Sequence, residues 1–298
     1  MKIGFSLPQI GAQAHQAAGI AEYAAELERA GAHSLWVAER LIAATNPKIG
    51  YGGSSTIPAL FNSVLDPFVV LGLAAAATNR VRLGTNVLIA PLYKPAMLAR
   101  SLTTLEVASN GRLDTGLGIG WSPDEYEAAG VPFSQRGARL DEMIDALKAI
   151  WTNDPASYTG KYVSVPEHRS ELKSLQRPHP PIHLSGTAPA ALTRIGHRAD
   201  GWLPMLSEPG QPETDAHLVE LRTQIDRAAE EAGRDPASIA TVVRVNVARG
   251  TSDDEILATV ETTAKVTGFD HFLIELLQVG DDLETMTGVA LRLLQRCG

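Results

Sequence analysis

Eight short apolar runs alternate with eight helix-like stretches from one end of this chain to the other, and this strict alternation limits its fold more than any other feature. The runs are KIGFSLP, HSLWVAE, VRLGTNVLIA, RLDTGLGIG, PIHLSG, DGWLPM, TVVRVNVA and DHFLIEL. Between them, apolar residues recur at helical spacing over His15–Ala30, Pro67–Ala77, Pro95–Ser109, Gln135–Trp151, Pro189–His197, Glu213–Ala232, Asp253–Thr267 and Asp282–Arg296. Gly31 stands where the first helix would need a left-handed residue to stop. Strands that alternate with helices form a parallel sheet covered by helices, and eight such units match an α/β fold of the closed (β/α)8 TIM-barrel type. An open doubly wound sheet is the structural rival, but it usually shows fewer units before a domain break. No long linker interrupts the series, so residues 1–298 are expected to form a single domain.

Two segments exceed a minimal barrel and are expected as insertion loops at the C-terminal face. Residues 41–65, LIAATNPKIGYGGSSTIPALFNSVL, follow the second strand and are too rich in Gly, Pro, Ser and Asn for a helix. A long loop of this kind is usually functional, so it is expected to act as a lid or a cleft wall. Residues 152–180 contain ASYTGKYVSVP, which reads as a small hairpin turning at Thr159-Gly160.

The chain carries a net charge of −8 with no block of basic residues, which argues against a nucleic-acid or anionic membrane partner and leaves a small-molecule substrate. The longest apolar run, FVVLGLAAAA, is half the roughly 20 residues a membrane-spanning helix needs. A single cysteine, Cys297, offers no disulfide framework and fits a reducing cytoplasm. The opening residues enter a strand pattern at once, so no signal peptide is expected.

In a barrel of this type the chemistry sits at the C-terminal ends of the strands. Those ends hold Ser6 and Gln9, then Glu39 and Arg40, then Asn86 and Ile89, then Gly118 to Glu125. Ser185, Gly186 and Thr187 follow, and Trp202, Arg244, Asn246 and Glu275 complete the set. There is no G-x-S-x-G elbow and no H-E-x-x-H. The prolines in HPPIH forbid the helix that would align His179 and His183 on a metal, so no metal site is expected and His183 reads as a hydrogen-bonded barrel histidine. Ends rich in Gly, Ser, Thr and Asn but poor in nucleophiles suit a large cofactor that does the chemistry itself. Ser185-Gly186-Thr187 closes a strand just before a helix with Pro189 in its first turn, where a phosphate could sit; a plain turn with a Ser or Thr N-cap is the alternative.

Gly116, Gly118 and Gly120 lie at alternate positions and share one face of the fourth strand. They do not fit a dinucleotide-binding G-x-G-x-x-G, and they leave room for crowded side chains or for a planar ring. Trp121 to Glu125 would carry the chain over the barrel mouth, their backbone and acids meeting a cofactor's tail.

SLPQIG, SLWVAERL, the stretch from DPFVVLGLAAAATNRVRLGTNVLIAPLYKP to GRLDTGLGIGW, EYEAAGVPFSQRGARLDEMIDALKAIWT and RPHPPIHLSG…ADGWLPM together resemble the luciferase-like monooxygenase superfamily. Their wording is most similar to its coenzyme F420-dependent oxidoreductase branch. The resemblance implies a homodimer whose barrel binds a deazaflavin, or alternatively FMN, at the strand C-termini. It implies hydride transfer between F420 and a small organic substrate, the alternative being an FMN-dependent monooxygenase that uses reduced flavin and oxygen. In this family a bulge in strand three backs the ring, frequently at a non-proline cis peptide, and the matching bond here is Asn86-Val87. The implied cofactor contacts are Ser6, Glu39, Asn86, Val87, Ile89, Gly118, Gly120, Trp121, Ser185, Gly186 and Thr187. Gln9, Tyr51 and Trp202 are expected on the substrate side. Where deazaflavin-using relatives often carry Asp-His this chain has Glu39-Arg40, the candidate catalytic pair. Arg40 cannot serve as a general base, so it would polarise a carbonyl, hold a carboxylate, or simply pair with Glu39 or a loop acid.

Overall fold

The computed structural model describes residues 1–206 and 212–297. Its strands are β1 (Lys2–Ser6), β2 (Ser34–Val37), β3 (Arg82–Thr85, resuming at Leu88–Ile89) and β4 (Leu113–Gly118). They continue as β5 (Ile182–Leu184), β6 (Gly201–Trp202), β7 (Ala240–Thr241 and Val243–Asn246) and β8 (His271–Glu275). Each strand lies parallel to the next in chain order, and β8 returns to pair with β1 at Lys2↔His271. The two pieces of β7 pair with β6 and β8 respectively, and the bonds Val242 N–H to Trp202 O and Arg244 N–H to Pro204 O carry the seam across. The ring of strands is thereby nearly closed, as the alternation of elements predicts.

The covering helices are α1 (Ile20–Arg29), α2 (Pro67–Ala77), α3 (Pro95–Ala108) and α4 (Arg136–Thr152). They are followed by α5 (Pro189–Arg198), α6 (Pro212–Glu231), α7 (Asp253–Thr267) and α8 (Leu283–Cys297). The first is entered through a 3-10 stretch, Gly11–Gly19, where an α-helix from His15 was expected. Among the described residues, no helix is long and apolar enough to cross a membrane.

The two-residue period of the strands sorts their side chains. Ile3, Phe5, Leu35, Val37, Leu83, Ile182, Val243 and Phe272 face outward and pack with the helices in one continuous core. Trp36, Leu203, Val242 and Leu273 fill the interior of the barrel. Trp36 occupies the space that a Cβ on Gly84 would need, and Ser34 the space of one on Gly4. Its indole N–H donates to Ser34 Oγ at 2.8 Å, which lies 2.8 Å from His271 Nε2. Burial pushes the His271 imidazole down to about 3, so it stays neutral inside the barrel. His183, over the bare Cα of Gly201, lies 3.3 Å from Asp114, which Arg82 grips with two 2.6 Å bonds. His183 is thus a hydrogen-bonded interior residue.

Of the two insertions, 41–65 lies at the C-terminal face as expected, but 152–180 does not. It follows a helix rather than a strand, which sends it to the opposite end. Its hairpin, Ala156–Thr159 with Ser164–His168, forms as the sequence suggests. Beyond the hairpin, Gln176 donates to Leu113 O at 2.8 Å and accepts from Arg82 at 3.2 Å, both at the start of their strands.

Candidate active site

The C-terminal mouth is shaped first by an extra residue in β3. From Gly84↔Asp114 to Leu88↔Leu117, β3 advances four residues while β4 advances three, which makes a β-bulge. The Asn86-Val87 peptide within it is cis. Thr85 replaces the interrupted ladder: its hydroxyl donates to Gly116 O at 2.7 Å and accepts from Gly116 N–H at 2.8 Å. The alternate glycines of β4 receive this bulge. A Cβ on Gly116 would overlap Thr85 O, one on Gly118 would lie 2.5 Å from Val87 Cγ2, and one on Gly120 would lie 2.8 Å from Ile89 Cγ2. Of the two uses open to these glycines, making room for neighbouring side chains is the one observed. Gly118 and Gly120 therefore lie directly under Val87 and Ile89 of β3.

Asn86 is buried and lines a narrow cleft at the mouth together with Ser6, Trp36 and Glu275. Ser6 also has an internal task, since its hydroxyl accepts from Leu276 N–H at 3.0 Å. Opposite the bulge, the Glu39 carboxylate accepts from Ile89 N–H at 2.5 Å and from the Tyr93 hydroxyl. Burial pushes its pKa up to about 7, against the pull of those two donors, with Glu125 and Asp66 adding to the rise. Burial and Glu39 together raise Tyr93 as well, so the phenol stays protonated. Across the mouth, Arg244 Nε lies 3.0 Å from Glu275 Oε2 and donates to Asn246 Oδ1 at 2.7 Å.

The 41–65 insertion is held to the short helix Pro123–Ala128, which the sequence did not suggest. Leu41 N–H donates to Glu125 Oε1 at 2.6 Å, Lys48 N–H donates to Asp124 Oδ2 at 3.0 Å, and Lys48 Nζ pairs with Glu127. Asp124 and Glu125 were expected to meet a cofactor tail; here they accept from backbone N–H groups of 41–65.

Arg40 sits between the 41–65 insertion and the segment after β4. Its guanidinium sits 4.2 Å from the Trp121 ring centroid and 5.5 Å from that of Phe61, and Tyr51 packs edge-on against both rings. Arg40 Nη2 lies 3.1 Å from Glu125 Oε2, with side-chain exposures of only 6% and 1%. That contact is close but poorly aligned, and among the described residues neither Arg40 Nε nor Glu125 Oε2 has a hydrogen-bond partner. Of the roles open to Arg40, the ion pair with a loop acid is the one observed. Tyr51 and Trp121 are walls of this aromatic enclosure.

Two substrate-side expectations are corrected. Gln9 is 1% exposed, and its amide is used up inside the protein: Nε2 donates to Ala38 O at 2.7 Å and Leu65 O at 3.1 Å, and Oε1 accepts from Ala38 N–H at 2.6 Å. It clamps the ends of β1, β2 and the lid. Trp202 faces outward in β6, fully buried against the helices, with its indole donating to Gly186 O at 3.2 Å; Leu203 is the inward residue.

Ser185, Gly186 and Thr187 lead into α5 from an accessible position. Gly186 has φ +123°, a conformation that side-chain-bearing residues rarely adopt. The N-cap is Ala188, not Ser185 or Thr187, and no side chain caps the helix. Pro189 has no N–H and Ala191 N–H donates to Ala188 O at 2.8 Å, so Ala190 N–H and the positive dipole end are what this turn offers an outside acceptor. By contrast, α7 closes its own N-terminus with a Ser252–Glu255 capping box.

Among the described residues, no cluster of His, Cys, Asp and Glu could hold a metal ion. Tyr93 and Glu125 are two polar residues of this end to which the sequence gave no individual role, as are Arg244, Asn246 and Glu275. Glu125 stood unremarked among acids, and Tyr93 stood in PLYKP with nothing to show that it reaches Glu39, 54 residues away in sequence.

The family model for luciferase-like monooxygenases matches residues 1–288. An uncharacterized protein of Mycobacterium tuberculosis is 36% identical over 153 residues, which is 51% of this chain and 54% of that protein, so the match spans about half of each. A monooxygenase structure from Streptomyces bottropensis superposes with a TM-score of 0.78 at 22% identity, covering 99% of this chain and 97% of the other. The structure of an F420-dependent secondary alcohol dehydrogenase, in complex with an F420-acetone adduct, gives a TM-score of 0.75 at 16% identity and covers 98% and 97%. At these identities the two structures bear on the fold alone.

Proposed function

Because the chain belongs to the luciferase-like monooxygenase family, we propose that it is an oxidoreductase that transfers a hydride between coenzyme F420 and a small carbonyl compound or alcohol. The observation that carries this reading is the mouth itself. A bulged β3 puts Asn86 in the cleft and lays Val87 and Ile89 over the β4 glycines, and the α5 N-terminus, which no side chain caps, lies beyond it as an anion site. These features fit a planar ring with a phosphate-bearing tail. Support for the deazaflavin over FMN comes from the SLWVAERL and GLGIGW wording.

When bound, the deazaflavin supplies a carbon that carries hydride. Ser185, Gly186, Thr187 and the α5 N-terminus would hold its phosphate, and Asn86, Val87 and Ile89 would support the ring. Conversion of a carbonyl to an alcohol also needs one proton at oxygen. Glu39 is the group at the mouth whose proton affinity is matched to neutral pH, so it can hold or accept that proton. Arg40 contributes by keeping the lid's aromatic wall in place. Glu39 and Arg40 thus divide the duties of the candidate catalytic pair: proton handling for one, lid positioning for the other.

Fluorescence titration with F420 and with FMN tests the proposal. F420 should bind below about 1 μM and at least tenfold more tightly than FMN. The reverse order would make the protein an FMN-dependent enzyme, and binding of neither would remove the basis of the reading. Gly186→Asp, which adds bulk and negative charge beside the α5 N-terminus, should weaken F420 binding by about 10-fold or more. Unchanged affinity in that variant would move the phosphate site elsewhere.

A further inference from the structure

Glu39 and Tyr93 meet beside the β3 bulge, one from the end of β2 and the other from the turn after β3. The bond from Asn86 N–H to Val37 O, 2.6 Å, ties the end of β2 to the bulge. Past Ile89 the chain turns at once through a 3-10 stretch, Ala90–Leu92, which Tyr93 N–H closes on Ala90 O at 3.1 Å. The Tyr93 ring stands edge-on to Phe68 in the first turn of α2, with centroids 6.0 Å apart, and packs against the outer core. So held, its hydroxyl donates to Glu39 Oε1 while Ile89 N–H takes Oε2.

The charged form of Glu39 has little other support. Arg40, the next residue, lies against Glu125 instead. Glu125 and Asp66, the N-cap of α2, are the nearby acids, and both oppose ionisation. Among the described residues, Tyr93 is thus the one side chain that donates to this carboxylate. Its two donors also differ in what they permit. A backbone N–H can only donate, so Ile89 suits the carboxylate alone, whereas a hydroxyl donates or accepts by turning about its C–O bond. Tyr93 therefore pairs with Glu39 in both states, donating to the carboxylate and accepting from the carboxylic acid. A buried carboxyl with no partner in one of its states would be driven strongly into the other. The phenol itself is kept protonated by burial and by Glu39, so the proton that comes and goes belongs to Glu39.

We propose that Tyr93 is a positioning residue for proton transfer: it holds the Glu39 carboxyl against the bulge and keeps both of its protonation states within reach. When Glu39 gives up its proton, its O–H bond breaks as one to the substrate oxygen forms, and the phenol turns to donate to the carboxylate left behind. The reverse turn accompanies recovery of the proton. This rests on the reading in which Glu39 handles the proton of a hydride transfer, and it names the residue that fits Glu39 for that duty.

Carbon NMR of protein labelled at its glutamate carboxyls tests this without cofactor or substrate, with the Glu39 signal identified by its absence in Glu39→Gln. In the parent that signal should titrate at about 7. Tyr93→Phe keeps the ring and removes the hydroxyl, and it should raise the midpoint by about one pH unit or more. Replacing Tyr93 by a ring-fluorinated tyrosine, a stronger donor of nearly the same size, should lower the midpoint below that of the parent. A role for Tyr93 in packing alone predicts one midpoint for all three proteins. That result, or a fall in Tyr93→Phe, would overturn the proposal. Should Tyr93→Phe melt too early to titrate, the order of the parent and fluorinated proteins decides. Fluorescence titration with F420 in the same samples separates the two readings. Absence of F420 binding with the midpoints in the expected order sinks hydride transfer alone, and F420 binding with unmoved midpoints sinks the role of Tyr93 alone.

Discussion

At the N-terminal end of the barrel, Arg112 gives its guanidinium to the carbonyls of Ala75, Thr78, Val81 and Ser109 and to the Thr78 hydroxyl, joining the C-termini of α2 and α3. Glu28 accepts from the N–H groups of Asn79, Arg80 and Val81, and Glu106 from those of Leu113 and Gln176. At the C-terminal end the same residue types are treated otherwise. Glu39 is buried until its proton affinity reaches neutrality, Arg40 faces Glu125 off alignment, and α5 is left uncapped. These N-terminal groups are satisfied for stability, whereas Glu39, the Arg40–Glu125 pair and the α5 N-terminus are left unsatisfied or poised for a partner.

Substitution should separate the two ends. The largest loss of stability is expected for Arg112→Met, which strands several buried carbonyls and should cost about 3 kcal/mol or more, read by denaturant unfolding. A loss below about 1 kcal/mol would mean that water or rearranged loops replace the guanidinium, and the contrast between the ends would weaken.

Glu39→Gln should lower kcat/KM by about 100-fold while leaving the protein folded. Its stability has a definite pH dependence. The folded-state pKa of Glu39 is raised, so its favourable contribution is complete below the unfolded carboxylate pKa and is lost as pH rises through about 7. The melting temperature of the parent should therefore fall relative to Glu39→Gln between pH 5 and 8, by roughly 3–8 °C. A flat difference would show that Glu39 ionises normally and is no proton carrier.

Glu125→Gln removes the charge that faces Arg40 and weakens the hold on Leu41 N–H. Hydrogen exchange within 41–65 should accelerate by about tenfold, with a smaller drop in global stability than in Arg112→Met. Equal protection in both proteins would detach the lid from the strand-four loop. The smallest effect belongs to Lys48→Ala, which breaks an exposed pair with Glu127. No measurable change in melting temperature is expected, and 0.5 M salt should leave the lid's exchange rates alike in the two proteins.

The barrel was legible because its requirement is repetitive: each strand needs an apolar outer face, each helix a matching stripe, and eight repeats leave few alternatives. The site was legible only in outline. Strand ends named Glu39, Asn86 and Ser185–Thr187, but the direction of a side chain in β6, a strand of two residues, hangs on one step of register, and Trp202 falls on the outer face. Gln9 reads as a free amide until folding brings Ala38 and Leu65 onto it. The acids after β4 find their partners about 80 residues away in the lid, a pairing that no local pattern encodes. Residues 152–180 were expected at the C-terminal face, and that expectation overlooked the order of elements, since a segment between a helix and a strand returns to the N-terminal end.

Gly116, Gly118 and Gly120 sit one strand away from the residues that would meet a ligand, yet their missing side chains give β3 its shape. In a library with every codon randomised, these three positions should rank among the least replaceable, although they act only as a mould. Anyone grafting the β3 bulge into another barrel would have to carry the β4 glycines along with it. The transplantable unit is a pair of strands.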